Sequence, residues 1–193
     1  MVGVLALQGD FAAHRQALAD FGVVTKEVRR AGDFANLDGL VLPGGESTAM
    51  LRLLQEGGME QILGQAITGG LPVLATCAGL ILLAEEVTNP SQPSLGLLRV
   101  KVERNAYGRQ VASKVTTLTV TAPDELHQKQ LEGVFIRAPR VFAAGQGVAV
   151  LAKWGEDPVL LRQDRILAAT FHPELSPKSP VLELFLRMVR RPE

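Results

Sequence analysis

Four short, almost wholly apolar runs, each closed by a turn of small or rigid residues, organise this chain. They are Val2 to Leu7 before Gln8-Gly9-Asp10, Gly39 to Leu42 before Pro43-Gly44-Gly45, Val73 to Thr76 before Cys77-Ala78-Gly79, and Ile166 to Phe171 before His172-Pro173. Runs this short and this apolar are strands without a solvent face, and three of them pass directly into a helical pattern. Asp10 is placed to cap a helix reaching about Phe21, Ser47 to cap one carrying Met50, Leu51, Leu53 and Leu54, and the Cys77 turn opens a third. Buried strands alternating with helices build a parallel sheet covered on both sides. Val23 to Val28 adds a strand, and Val181 to Val189, behind Ser179-Pro180, is a closing amphipathic helix.

After Asn89 the rhythm changes. Leu98 to Glu103, Lys114 to Thr121, Val134 to Ile136, Val148 to Lys153 and Val159 to Arg162 follow one another as strands with turns between, which predicts antiparallel or mixed pairing. The expected fold is α/β, a three-layer open mixed sheet with a mostly parallel core, helices on both faces and an antiparallel, strand-rich second half. At 193 residues and 47% hydrophobic composition the chain suits one domain with a sizeable core.

Twenty basic and twenty acidic residues cancel, so no overall positive field exists to hold nucleic acid or an anionic membrane. The N-terminal apolar stretch has no basic region before it and is too short for a signal sequence, and no run approaches the roughly 18 apolar residues of a membrane span. One cysteine allows no internal disulfide, and His14, His127 and His172 show no metal-ligand spacing. A cytoplasmic chain without metal or cofactor is expected.

Open sheets of this kind place ligands beyond the carboxyl ends of their parallel strands, where Gly45, Cys77 and His172 all stand. Two readings of Cys77 are open: a buried small hydrophobe, or a nucleophile at a strand-to-helix turn whose helix dipole favours thiolate. A thiol with an ordinary pKa of about 8.5 needs a base in contact and a group that orients the base. His172 is the candidate base. Glu174 projects to the same side two residues on, if the segment is extended, and can fix the imidazole tautomer. His14, mid-helix among polar neighbours, and His127, in a polar run, are both expected on the surface. The glycines of Pro43-Gly-Gly-Glu-Ser47 let backbone amides approach a ligand, although an ordinary turn would look the same. With the Ala78 amide they can form an oxyanion hole.

The ordered motifs Pro43-Gly-Gly-Glu-Ser47, Thr76-Cys-Ala-Gly-Leu80 and Phe171-His-Pro-Glu-Leu175 resemble those of the class I, triad-type glutamine amidotransferases. Four further stretches narrow the resemblance to the glutaminase subunits of pyridoxal 5'-phosphate synthase: Leu5-Ala-Leu-Gln-Gly-Asp-Phe11, Val102-Glu-Arg-Asn105, Tyr107-Gly-Arg-Gln110 and Val134-Phe-Ile-Arg-Ala-Pro139. The resemblance implies a flavodoxin-like glutaminase domain over residues 1–193. Cys77 would be its nucleophile, His172 its base and Glu174 the orienting carboxylate, with Gly45 and Ala78 as oxyanion donors. Glutamine would be held by Gly45, Glu46, Ser47, Arg104, Ile136 and Arg137. Arginine suits the substrate carboxylate and Glu46 its ammonium, while an isolated surface arginine more simply makes an ion pair.

The partner implied is a (β/α)8-barrel synthase subunit in a hetero-oligomer, expected at the rim near Gln8-Gly9-Asp10. Two rival functions keep the scaffold: a glutaminase feeding another synthase, as in histidine biosynthesis, or a catalytically silent binding module. The Val102 to Gln110 and Val134 to Pro139 matches weigh against the first, and an intact Cys77, His172 and Glu174 against the second. One departure from the family pattern is Ser176-Pro-Lys-Ser-Pro180, which bears on the docking of the last helix.

Overall fold

The computed structural model describes residues 1–106 and 113–190. Tyr107 to Gln110, part of the resemblance above, therefore lies outside the described residues. The elements run β1 (Val2–Leu5), α1 (Phe11–Ala19), β2 (Thr25–Val28), β3 (Gly39–Leu42), α2 (Ser47–Glu56), α3 (Glu60–Thr68), β4 (Val73–Thr76), α4 (Ala78–Leu83) and β5 (Ala84–Thr88). They continue with β6 (Leu98–Glu103), β7 (Ser113–Val120), α5 (Pro123–Leu126), β8 (Gln130–Ile136), β9 (Arg140–Ala144), β10 (Ala149–Trp154), β11 (Asp157–Gln163), β12 (Ile166–Ala169) and α6 (Pro180–Arg190).

Among the described residues the main sheet has the order β2-β1-β3-β4-β12-β11-β10-β7-β8. Its first five strands pair in parallel and the remaining pairs are antiparallel. The expected parallel core with an antiparallel second half is what forms. Side-chain alternation in the central strands explains the layers. Leu40 and Leu42 of β3, Val73 and Ala75 of β4, and Ile166 and Ala168 of β12 face one way, onto α2, α3 and α4. Val41, Leu74, Leu167 and Ala169 face the other way, onto Leu18 of α1 and the Val181, Leu182 and Phe185 stripe of α6. All are buried, so β3, β4 and β12 have no solvent face. The proline-rich entry to α6 does not impair its docking, since Val181, Leu182 and Phe185 are fully enclosed.

Two local expectations are corrected. Ser47 does not cap α2: Glu46 is the N-cap, its carboxylate accepting from Thr48 N–H at 3.1 Å and Ala49 N–H at 2.7 Å. Asp10 stands at the N-cap of α1 without a side-chain capping bond. The helix expected after the Cys77 turn forms as α4 and ends at Leu83; Ala84 then opens β5, which pairs with β6 in a small sheet β5-β6-β9. That sheet rests Val87, Leu98, Val100, Val102 and Val141 on the α2 side of the core. Its pairings join residues far apart in sequence, so no local pattern announces them.

Candidate active site

Cys77 sits between β4 and α4 with φ 47° and ψ −102°, a backbone conformation that side-chain-bearing residues rarely hold. The crossing at this elbow is tight. A methyl group on Gly79 would collide with the Leu42 carbonyl, so only glycine lets α4 start this close to β3. Cys77 is 6% exposed, and its Sγ lies 3.9 Å from the Ile136 carbonyl oxygen.

His172 follows β12, its backbone N–H held by the Val134 carbonyl at 2.8 Å. The segment beyond it is not extended as expected: Pro173–Leu175 forms a 3-10 turn. The turn still returns Glu174 to the ring, with Oε1 2.7 Å from His172 Nδ1. Both groups are almost wholly buried. Burial opposes charge on the His172 ring, but hydrogen bonds and charge from Cys77 and Glu174 outweigh it and push its pKa up to about 10. Burial likewise opposes the Glu174 carboxylate, yet the neighbouring rings of His14 and His172 hold it down at about 2. An ionised carboxylate only accepts, so His172 Nδ1 donates to Glu174 and its Nε2 is left for the proton shared with Cys77.

The loop after β3 lies against this pair. A methyl on Gly44 would fall on His172 Cε1 and lie 3.1 Å from Nδ1, so the ring rests on the glycine backbone. Gly45, at φ 153°, and Gly9, at φ 93°, approach each other closely. The Gly44 carbonyl accepts from Asp10 N–H at 3.0 Å and Gln8 Oε1 from Glu46 N–H at 2.7 Å, so the Gln8-Gly9-Asp10 loop holds the peptides on both sides of Gly45.

One cleft gathers almost every residue singled out from sequence. Gly45, Glu46, Ser47, Cys77, Arg104, Ile136, Arg137 and His172 line it, joined by Asp10, Ile81, Asn105 and Pro139. Ala78 and Glu174 lie just behind their neighbours in the chain and are buried. The two charges expected to receive an amino acid pair with each other here, Arg104 Nη2 standing 2.9 Å from Glu46 Oε1. Burial works against the Glu46 carboxylate, but the Ala49 and Thr48 hydrogen bonds and Arg104 hold it below its ordinary range. Arg137 is exposed on the rim, at φ 44°. Ser47 Oγ donates to Gln92 Oε1 at 2.9 Å, a neighbour from the loop after β5 that no local pattern marked. Among the described residues Asp10, His172 and Glu174 bring ligand atoms within 4.8 Å of one another, but two of the three already serve the base–carboxylate pair.

His14 corrects the surface expectation. It is fully buried, with Nε2 3.0 Å from Thr76 Oγ1 and 3.3 Å from Glu174 Oε1. The signal for it was present: Phe11, His14 and Leu18 fall at helical spacing on one face of α1, the face that packs inward.

Relatives match this chain along nearly its whole length. A pyridoxal 5'-phosphate synthase subunit PdxT from Koribacter versatilis is 49% identical over 189 residues, covering 98% of this chain and 95% of that protein. The PdxT of Parafrankia sp. is 51% identical over 191 residues, covering 98% and 93%. That of Thermotoga maritima is 47% identical over 189 residues, covering 98% and 99%. A crystal structure of a glutamine amidotransferase superposes with a TM-score of 0.90 at 45% identity, covering 98% of this chain and 99% of the other. The fold alone extends to a putative GMP synthase subunit from Thermoplasma acidophilum, at TM-score 0.73 and 18% identity. With the SNO glutamine amidotransferase family model matching residues 4–191, the chain belongs to that family.

Proposed function

We propose that this chain hydrolyses L-glutamine to L-glutamate and ammonia through a thioester on Cys77, and passes the ammonia to a synthase subunit that makes pyridoxal 5'-phosphate. The observation that carries the reading is the buried hydrogen bond from His172 to Glu174 beside a cysteine held at a strained elbow. The family membership and the PdxT relatives support the substrate and the product's destination.

In the proposed cycle the proton lost by Cys77 rests on His172, and Sγ attacks the side-chain amide carbon of glutamine. The carbonyl oxygen becomes an oxyanion against the amides of Gly45 and Ala78. Protonated His172 gives its proton to the departing nitrogen, releasing ammonia and leaving the glutamyl thioester. Water, deprotonated by His172, hydrolyses the thioester and regenerates the thiol. Glu174 stabilises the imidazolium at each stage. Glu46 and Arg104, paired in the open cleft, exchange that pairing for the ammonium and carboxylate of the substrate, with Arg137, Ser47 and Ile136 closing around it.

The synthase partner is a (β/α)8-barrel subunit in a hetero-oligomer, seated over the cleft rim at Gln8-Gly9-Asp10. Because that loop holds the peptides on either side of Gly45 by one hydrogen bond each, a partner pressing on it acts directly on an oxyanion donor. A thiol nucleophile also fits the reducing cytoplasm. Residues 1–193 form one glutaminase domain in this reading. Glutamate release from glutamine, measured with and without the synthase subunit for the wild type and Cys77→Ala, tests it. Activity that rises with the partner and vanishes in Cys77→Ala is expected, and hydrolysis persisting in Cys77→Ala would overturn it.

A further inference from the structure

We propose that His14 is a positioning residue of this site: its Nε2–H braces the Glu174 carboxylate at the oxygen that His172 also binds, so that Cys77, His172, Glu174 and His14 form one connected network. This rests on the glutaminase reading and extends it by one residue.

The geometry supplies the donor. His14 Nε2 is within 3.3 Å of Glu174 Oε1, the same oxygen that takes the His172 Nδ1 proton at 2.7 Å. Glu174 is ionised, and a bare Nε2 lone pair facing that oxygen would be repelled. Nε2 must therefore carry hydrogen, shared between Glu174 Oε1 and Thr76 Oγ1 at 3.0 Å. The other ring nitrogen agrees, because His14 Nδ1 is buried without a hydrogen-bond partner among the described residues. A proton on Nδ1 would be an orphaned donor costing roughly 1–3 kcal/mol, whereas an unused lone pair there costs less.

The carboxylate needs this support. Glu174 Oε2 has no hydrogen-bond partner among the described residues, so both donors reach the group through Oε1 alone. Without His14, one hydrogen bond would leave the carboxylate free to rotate and the buried charge poorly supported. Burial raises the Glu174 pKa, and the hydrogen bond from His14 is among the influences that lower it. Thr76 precedes Cys77 directly, so His14 also ties α1 to the nucleophile's own strand.

The test starts with the unaltered protein. The chain has three histidines, so ring nitrogen shifts of uniformly 15N-labelled wild type are assignable. His14 protonated at Nε2 is expected, and His14 with a bare Nε2 would overturn the proposal. His14→Leu and His14→Gln are then assayed with the synthase subunit. Losing a supporting hydrogen bond of this kind should lower kcat by about 10–100-fold in His14→Leu with KM within about twofold. Gln, whose amide nitrogen reaches the position of Nε2, should restore kcat to within about fivefold of wild type. Folded His14→Leu with wild-type kcat, or His14→Gln that folds but is no better than Leu, refutes the positioning role. If His14→Leu fails to fold, the wild-type tautomer and the His14→Gln rate decide. Absence of any glutamine hydrolysis by the wild type would count against the glutaminase reading, whereas the tautomer measurement does not depend on turnover.

Discussion

Gly44→Ala isolates the placement of the base from its chemistry. The new methyl would overlap His172 Cε1 and stand 3.1 Å from Nδ1. Carbon contacts settle at about 3.5–4.0 Å, so ring or loop must give by about 1 Å. The ring is 3% exposed and tied to Glu174 at 2.7 Å, which leaves motion relative to Cys77 as the available relief. Misplacement of about 1 Å can cost roughly 100-fold in rate, equivalent to about 3 kcal/mol of barrier. Overpacking should also cost about 1–3 kcal/mol of stability, or roughly 2–12 °C in Tm for a chain of this size, so the assay belongs at 25 °C where the variant remains folded.

Steady-state glutamine hydrolysis with the synthase subunit gives kcat, and alkylation of Cys77 by iodoacetamide reports whether His172 still faces the sulfur. Both should fall together. Gly64→Ala is the control: its new methyl meets nothing within 4 Å on α3, so kcat should hold and stability rise by about 0.5–1 kcal/mol. Gly44→Ala with native circular dichroism, kcat within threefold of wild type and unchanged alkylation would show that the ring is not held by this glycine.

The charged pair makes stability depend on pH in two limbs. Glu174, depressed to about 2 from 4.5, stabilises fully above pH 4.5 and loses its contribution as pH falls toward 2. His172, raised to about 10 from 6.5, stabilises fully below pH 6.5 and loses its contribution as pH rises toward 10. Urea midpoints across pH should show both limbs, with the alkaline one beginning near pH 6.5 in both proteins but ending at lower pH in Cys77→Ala, where the sulfur's support of the imidazolium is gone. Arg104→Met should raise KM for glutamine by about 10–100-fold with kcat little changed, since a charged hydrogen bond contributes about 1.5–3 kcal/mol; an unchanged KM would remove Arg104 from the substrate site. Glu46→Ala should lose the α2 cap, about 1 kcal/mol or roughly 2–4 °C in Tm, and raise KM as well. A Tm unchanged by that substitution would deny the cap its role.

Short-range patterns already carried the parallel core. Val41 and Leu74 lie on one side of the sheet and Leu40, Leu42, Val73 and Ala75 on the other, and strands apolar on both sides admit few arrangements other than a doubly covered sheet. Cys77, His172 and the Gly44-Gly45 loop were readable for the same reason: each ends one of those strands, and parallel strands deliver their carboxyl ends to a common edge.

What local pattern could not supply was the set of pairings between distant parts of the chain. Glu46 is as plausible a substrate ligand as a helix cap in sequence, and becomes both cap and Arg104 partner once β6 arrives beside α2. The strand β5 is indistinguishable from a continuing helix until β6 pairs with it. His14 has polar neighbours along the chain, yet α1 turns it beneath the sheet edge where Glu174 and Thr76 meet it. Strand and helix periodicities depend on neighbouring residues, so the chain writes them locally. A buried hydrogen bond between α1 and the turn after β12 depends on how layers stack, and exists only once the whole core has closed.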